Sequence, residues 1–284
     1  MSTMGEKGGG RRMDVVMACR WRDHSILRAG LPWIHRMLPC RKVVLYVPDA
    51  EAGAFRKTFG GDTEVREEDS VLPGLTLAAF RKFPVRGFPR GAGWYFQQYL
   101  KYAHAFIEPE MEHYLIWDAD TIPLRPLEFF DAEGRMIFTT SDEHHAPYFE
   151  TYRNLLGEDA RVEFSFISQH QVVCKALLRE MLEKIELRHG KPWPLAIAGC
   201  LQAGDYNLFS EYETCGHYLK NHHAGRMVFR TLPWLREGVA ACGYPPREAC
   251  LKKMAKDYAF AAFETRDRWS RKWINRILRW TGRI

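Results

Sequence analysis

The chain has 284 residues, 46% hydrophobic and 27% charged, a globular composition that excludes a mostly disordered protein. No apolar run reaches the roughly 18 residues a membrane-spanning helix needs. The net charge is +6, and the stretch from Arg266 to Ile284 carries all of it, with seven basic residues against Asp267, so the rest of the chain is neutral overall.

Residues 1–12 hold Gly and Arg but no apolar core of signal-peptide length, and read as a disordered tail. "DVVMAC" (Asp14–Cys19) reads as a first buried strand and "RKVVLYVPD" (Arg41–Asp49) as a second, ended by Pro and Asp. Between them "HSILRAGLPWIHRML" has helical apolar spacing, so a β-α-β unit and a parallel sheet are expected. A short third strand falls near Thr63 to Arg66. "GWYFQQYLKYAHAFIEPE" predicts a helix with Tyr95, Tyr99, Tyr102 and Phe106 at helical spacing, and "EHYLIW" a further strand.

"RMIFTTSD" (Arg135–Asp142) is another expected strand. "SQHQVVCKALLREMLEKIELRHG" reads as one helix, capped by its opening Ser168 and stopped at Gly190. "WPLAIAGCLQ" predicts a further helix and "MVFRTLP" a late strand. The simplest organisation is one α/β domain over residues 13–263, with a mostly parallel central sheet flanked by helices. The seven cysteines (Cys19, Cys40, Cys174, Cys200, Cys215, Cys242 and Cys250) are odd in number and contain no CxxC pair. Reduced buried thiols in a cytoplasmic protein are therefore expected, not a disulfide frame or a zinc site.

"YLIWDADTIPLRPLEFF" (Tyr114–Phe130) is the most informative stretch: a buried strand runs straight into Asp118 and Asp120. Alternate residues share a face, so both carboxylates can point to one side, where open α/β sheets collect ligands. Adjacent carboxylates repel unless a cation sits beside them. Mg²⁺ or Mn²⁺ suits all-oxygen ligation and commonly shares its shell with phosphates, so the pair reads as a metal site for a diphosphate. The alternative is a pair that only caps the turn before Pro123.

The stretch resembles the DxD segment of GT-A-type glycosyltransferases. "GWYFQQYLKY", "SFISQHQVVCKALLREMLEKIE" and "FSEYETCGHYL" are similar, in the same order, to segments of a bacterial family of glycosyltransferase-like proteins. With the first strand, the likeness covers about Asp14 to Leu232. It implies a GT-A-type nucleotide-sugar-binding fold and a nucleotide-diphospho-sugar donor, UDP-linked by base rate. It also implies that Asp120 binds the metal and that Asp118 touches the metal or the ribose. A later His often supplies a third ligand in such sites, which makes His222 and His223 candidates, with a solvated loop pair as the alternative.

Gln97, Gln98 and Lys101 lie within two helical turns, with amide and ammonium groups suited to a nucleobase edge and a phosphate. An amphipathic helix with a wet polar face explains them as well. Glu211 and Glu213 in "FSEYETCG" are candidates for the base that takes the acceptor hydroxyl's proton, against an acidic surface turn. Gln169 and His170, read as opening a helix, suit donor or acceptor hydroxyls, though helix capping accounts for them too. "HGKPW" echoes a motif of glycogenin-type retaining transferases, but Ile185 and Arg188 stand where that motif needs His and Gly, so it reads as a helix stop.

The last stretch places Trp269, Trp273, Ile277 and Trp280 on one face of a basic amphipathic helix over residues 264–284. A peripheral anchor on an anionic membrane surface is expected, with a helix docked on its own domain as the alternative; no motif points to nucleic acid. The expected activity is sugar transfer to a saccharide or lipid-linked acceptor in polysaccharide biosynthesis. Two other readings compete. A haloacid-dehalogenase-type phosphatase also runs a strand into Asp-x-Asp, but wants Thr or Val where Ile122 stands and carries the motif on its first strand. A non-catalytic membrane scaffold on the same fold is the other.

Overall fold

The computed structural model describes residues 11–61, 63–72, 74–83, 91–107, 111–201 and 207–264. The expected basic helix lies outside these residues apart from Glu264, and so does the expected N-terminal tail apart from Arg11 and Arg12. In chain order the strands are β1 (Met13–Ala18), β2 (Cys40–Val47), β3 (Thr63–Glu67), β4 (His113–Trp117), β5 (Thr121–Pro123), β6 (Met136–Thr140), β7 (His170–Cys174), β8 (Met227–Thr231), β9 (Trp234–Leu235) and β10 (Phe260–Ala262). The helices are α1 (His24–Met37), α2 (Asp49–Phe59), α3 (Leu77–Phe80), α4 (Ala92–Ala103), α5 (Ala146–Leu156), α6 (Lys175–His189), α7 (Trp193–Cys200), α8 (Glu211–His222), α9 (Gly238–Cys242) and α10 (Glu248–Met254).

Two compact units result, one from Met1–Trp21, Arg41–Trp117 and Phe129–Thr231, the other from Arg22–Cys40, Asp118–Glu128 and Leu232–Ile284. The first holds an α/β sheet in the order β3-β2-β1-β4-β7. β1 pairs parallel with β4 and β2 with β3, while β7 closes the edge antiparallel to β4. The apolar runs in β1, β2 and β4 are buried on both faces, which is why they read as continuous hydrophobic stretches and not as alternating ones. A second, two-stranded sheet pairs β6 with β8 in parallel.

The helix expected from Ser168 is corrected here. Residues 170–174 form β7, in register with β4 from His170↔Trp117 to Cys174↔His113, and α6 starts only at Lys175. The β-branched pair Val172–Val173 suits a pleated sheet, and the long edge of β4 gives it a partner. The helical period of "KALLREMLEKIE" extends backwards over these residues only if that partner is ignored. α6 stops where expected, at Gly190 in the left-handed conformation (φ 61°), whose N–H bonds to Glu186 O. The KPW segment then opens α7.

α4 buries Tyr95, Phe96, Tyr99, Leu100 and Tyr102. The rings of Tyr99 and Tyr102 meet Trp193 and Phe209 with centroids 5.3–6.3 Å apart. Each fully buried side chain of this size contributes roughly 1.5–3 kcal/mol. Phe106 does not share that face: it follows α4 in a 3-10 turn and is 52% exposed.

In the second unit, β10 pairs antiparallel with β5 and parallel with β9. Its core joins Ile26 and Trp33 of α1 to Ile122, Leu124, Leu251, Met254, Ala261 and Phe263. Cys242 and Cys250 form a disulfide, with Cα atoms 5.8 Å apart. This corrects the expectation that all the thiols are reduced. Cys242 ends α9 and Cys250 lies in the first turn of α10, and the turn between those helices brings them together, a proximity that an odd count without CxxC does not reveal. The other five cysteines are free.

Candidate functional site

β4 ends at Trp117, and the next residue is Asp118. The chain turns there, with Thr121 N–H bonding Asp118 O at 2.9 Å, and Phe263 N–H bonding Asp120 O at 2.8 Å. Asp118, Ala119 and Asp120 are all half-buried. The turn is thus fixed through its backbone by β5 and the end of β10. Thr121 Oγ1 lies 3.5 Å from Asp120 Oδ1. The donors are all oxygen, from two carboxylates one residue apart, and that chemistry fits a hard divalent cation.

In the other unit, Gln98, Lys101 and Glu211 are brought together and buried. Gln98 Oε1 accepts from Glu211 N–H at 3.0 Å, and its Nε2 donates to Trp94 O at 3.3 Å. Lys101 Nζ donates to Glu211 Oε1 at 2.7 Å and lies 5.0 Å over the Tyr212 ring. Lys101 and Glu211 therefore occupy the buried joint between α4 and the start of α8. Gln97 is half-buried and does not share this joint.

Glu213 is the third residue of α8. It accepts from Ser165 Oγ at 2.5 Å and from Phe166 N–H at 3.1 Å, and His217 Nε2 is 3.2 Å away. Ser210 caps the helix by accepting from Glu213 N–H. Both glutamates sit in the first turn of α8, where the helix dipole favours negative charge. Neither belongs to an exposed acidic turn: Glu211 is 4% and Glu213 2% exposed.

Gln169 and His170 are buried at the entry to β7, and Gln169 holds a left-handed backbone (φ 65°), costly for a residue with a Cβ. His170 stacks on Trp117, centroids 4.9 Å apart and planes 19° apart. Its Nε2 is 3.0 Å from Thr139 Oγ1, which accepts from Arg230 Nε at 3.2 Å. With the hydroxyl's proton directed to the ring, His170 Nε2 is the acceptor. Burial, then the charge of Arg230, pushes its pKa down to about 3, so the imidazole is neutral at neutral pH. Thr139 and Arg230 have no local signature in "MIFTT" or "MVFRT". Only the β6–β8 register (Thr139↔Arg230) pairs them.

His222 and His223 each direct Nε2 at a carboxylate, His222 at Glu158 Oε1 (2.8 Å) and His223 at Glu180 Oε1 (3.1 Å). Burial raises the Glu158 pKa, but hydrogen bonds from Tyr152, His222 and Asn221 outweigh it and hold the group below the usual range. Glu180 is lowered by hydrogen bonds from Tyr218 and, against burial, from His223. Both carboxylates are ionised acceptors, so each Nε2 is engaged as a donor and is not available to a metal.

Residues 23–231 match the model of a family described as a family of unknown function (DUF6492). Among curated proteins, none matches the chain. Among solved structures, apo mouse xyloside xylosyltransferase 1 aligns with 90% of this chain and 99% of its own, at 11% identity and a TM-score of 0.49. The galactosyltransferase LgtC, in complex with donor and acceptor sugar analogues, aligns with 88% of this chain and 87% of its own, at 13% identity and a TM-score of 0.46.

Proposed function

The chain belongs to the DUF6492 family, and we propose that it is a metal-dependent GT-A-type glycosyltransferase moving a sugar from a nucleoside-diphosphate donor to a saccharide or lipid-linked acceptor. The observation that carries this reading is the Asp118-x-Asp120 pair, half-buried on a backbone-fixed turn directly after the buried strand β4. The ordered likeness of four sequence segments to glycosyltransferase-like proteins supports it. The phosphatase reading fits less well, because the pair follows the fourth strand and not the first.

In this reading Asp120 and Asp118 hold Mn²⁺ or Mg²⁺. The bound ion would neutralise the donor's diphosphate and stabilise the charge that builds on it as the sugar leaves. Gln169 and the neutral His170, at the entry to β7, would hydrogen-bond sugar hydroxyls. Lys101 and Glu211 bond each other and hold α4 to the start of α8. Glu211 and Glu213 remain the candidate bases, the first bonded by Lys101 and the second accepting from Ser165 Oγ and Phe166 N–H. Among the described residues no helix is long and apolar enough to cross a membrane. The basic stretch from Arg266 to Ile284 supports docking on an anionic membrane surface, where a lipid-linked acceptor would be concentrated.

The test is thermal denaturation with UDP, GDP, ADP and their sugar conjugates, with and without Mn²⁺. A nucleotide present at 100 times its Kd stabilises the folded state by about 2.7 kcal/mol. One nucleotide diphosphate should raise Tm only when Mn²⁺ is present, and Asp120→Ala should lose that rise while keeping its own ligand-free Tm. No metal-dependent rise with any of them, or a full rise in a folded Asp120→Ala, overturns the reading.

A further inference from the structure

A different group of side chains lies at the other end of β4. Glu112 precedes the strand, His113 begins it, and Cys174 ends β7 as the register partner of His113. One carboxylate oxygen, one imidazole nitrogen and the thiol sulfur all lie within 4.8 Å of one another. His113 Nδ1 is 3.7 Å from Glu112 Oε2. Tetrahedral zinc, with bonds of about 2.0–2.3 Å, spaces its ligands about 3.3–3.7 Å apart. The Glu112–His113 distance already matches one edge of that tetrahedron, and the others need to close by up to about 1.5 Å.

The backbone holds this arrangement in place. Lys175 N–H bonds Glu112 O at 3.0 Å, which continues the β4–β7 ladder past its last pair. The His113 ring meets Phe130 edge-on, 4.9 Å between centroids, so its orientation is set by packing. His113 and Cys174 are buried and Glu112 is exposed, which gives the set an inner thiol–imidazole half and an outer half open to entry and to water as a fourth ligand.

We propose that Glu112, His113 and Cys174 form a site for Zn²⁺ or a comparably thiophilic divalent cation, pinning the start of β4 to the end of β7. A thiolate with an imidazole selects such an ion over the Mg²⁺ or Mn²⁺ suited to carboxylates alone. The site is independent of the nucleotide-sugar reading, since it shares no residue with the Asp118–Asp120 pair.

Co²⁺ titration of the full chain tests it, read by the near-ultraviolet thiolate-to-cobalt charge-transfer band, which an all-oxygen site cannot produce. The wild type should develop the band and lose it on adding Zn²⁺. Cys174→Ser should abolish the band, whereas Cys200→Ser and Asp120→Ala should keep it. Glu112→Gln, an exposed change that leaves the fold alone, should keep the band but weaken binding at least about tenfold, the least that even outer-shell partners contribute. No band in the wild type, a band surviving in folded Cys174→Ser, or unchanged affinity in Glu112→Gln overturns the proposal. The last variant decides the matter if Cys174→Ser does not fold.

Discussion

Lys101 Nζ and Glu211 Oε1 meet at 2.7 Å with side chains only 3% and 6% exposed. Charges so far from water are tolerated because each neutralises the other. Removing one should cost about 3–5 kcal/mol, as the survivor becomes an uncompensated buried charge. Lys101→Met and Glu211→Gln should each show that loss in urea unfolding, and the double variant should recover much of it. Additive losses in the double variant would mean the two groups are not coupled.

Gly216 in the middle of α8 touches the ring of Phe166, and a Cβ there would overlap that ring. Phe166 is itself 1% exposed, enclosed by its neighbours. Gly216→Ala should therefore destabilise by about 1–3 kcal/mol, even though Ala is the better helix former. A neutral or stabilised variant in the same assay would show that the ring can move.

Glu68 gives the chain a pH signature. Burial, against the nearby Arg20 and aided by Asp69, Asp49 and Glu51, raises its pKa from 4.5 to about 7. Between those values the folded chain keeps a proton that the unfolded chain releases, so this group's contribution falls as pH rises through the window and is lost above pH 7. Glu68→Gln should flatten Tm against pH in that window and melt above the wild type at higher pH. Parallel profiles for the two proteins would refute the assignment.

The charge of the last 19 residues makes a separate prediction. The full chain should co-sediment with vesicles containing anionic lipid, less so as salt rises. Deleting Arg266 to Ile284 should abolish sedimentation and spare Mn²⁺-dependent nucleotide binding. Equal sedimentation of the two chains would rule out the anchor.

The sequence by itself determined where the buried strands lie and where they stop. β1, β2 and β4 are apolar runs that can be satisfied only inside a sheet, and the two aspartates mark the end of the fourth by being the wrong residues to continue it. The Gly190 stop was equally local, because only the residue at that position has to adopt the left-handed turn. Tertiary structure decided the rest. β7 is a strand because β4 offers it an open edge, while its own sequence runs smoothly into a helical period. Lys101 and Glu211 are 110 residues apart, and each looked like a polar group facing a ligand until packing enclosed the pair. Glu158 and Glu180 reached His222 and His223 only through the fold, and Cys242 met Cys250 only across the turn between two short helices. A backbone conformation is set by near neighbours and leaves its mark on the local pattern. A side chain's partner is set by the whole chain path, so its chemistry stays open until the fold has chosen what stands opposite.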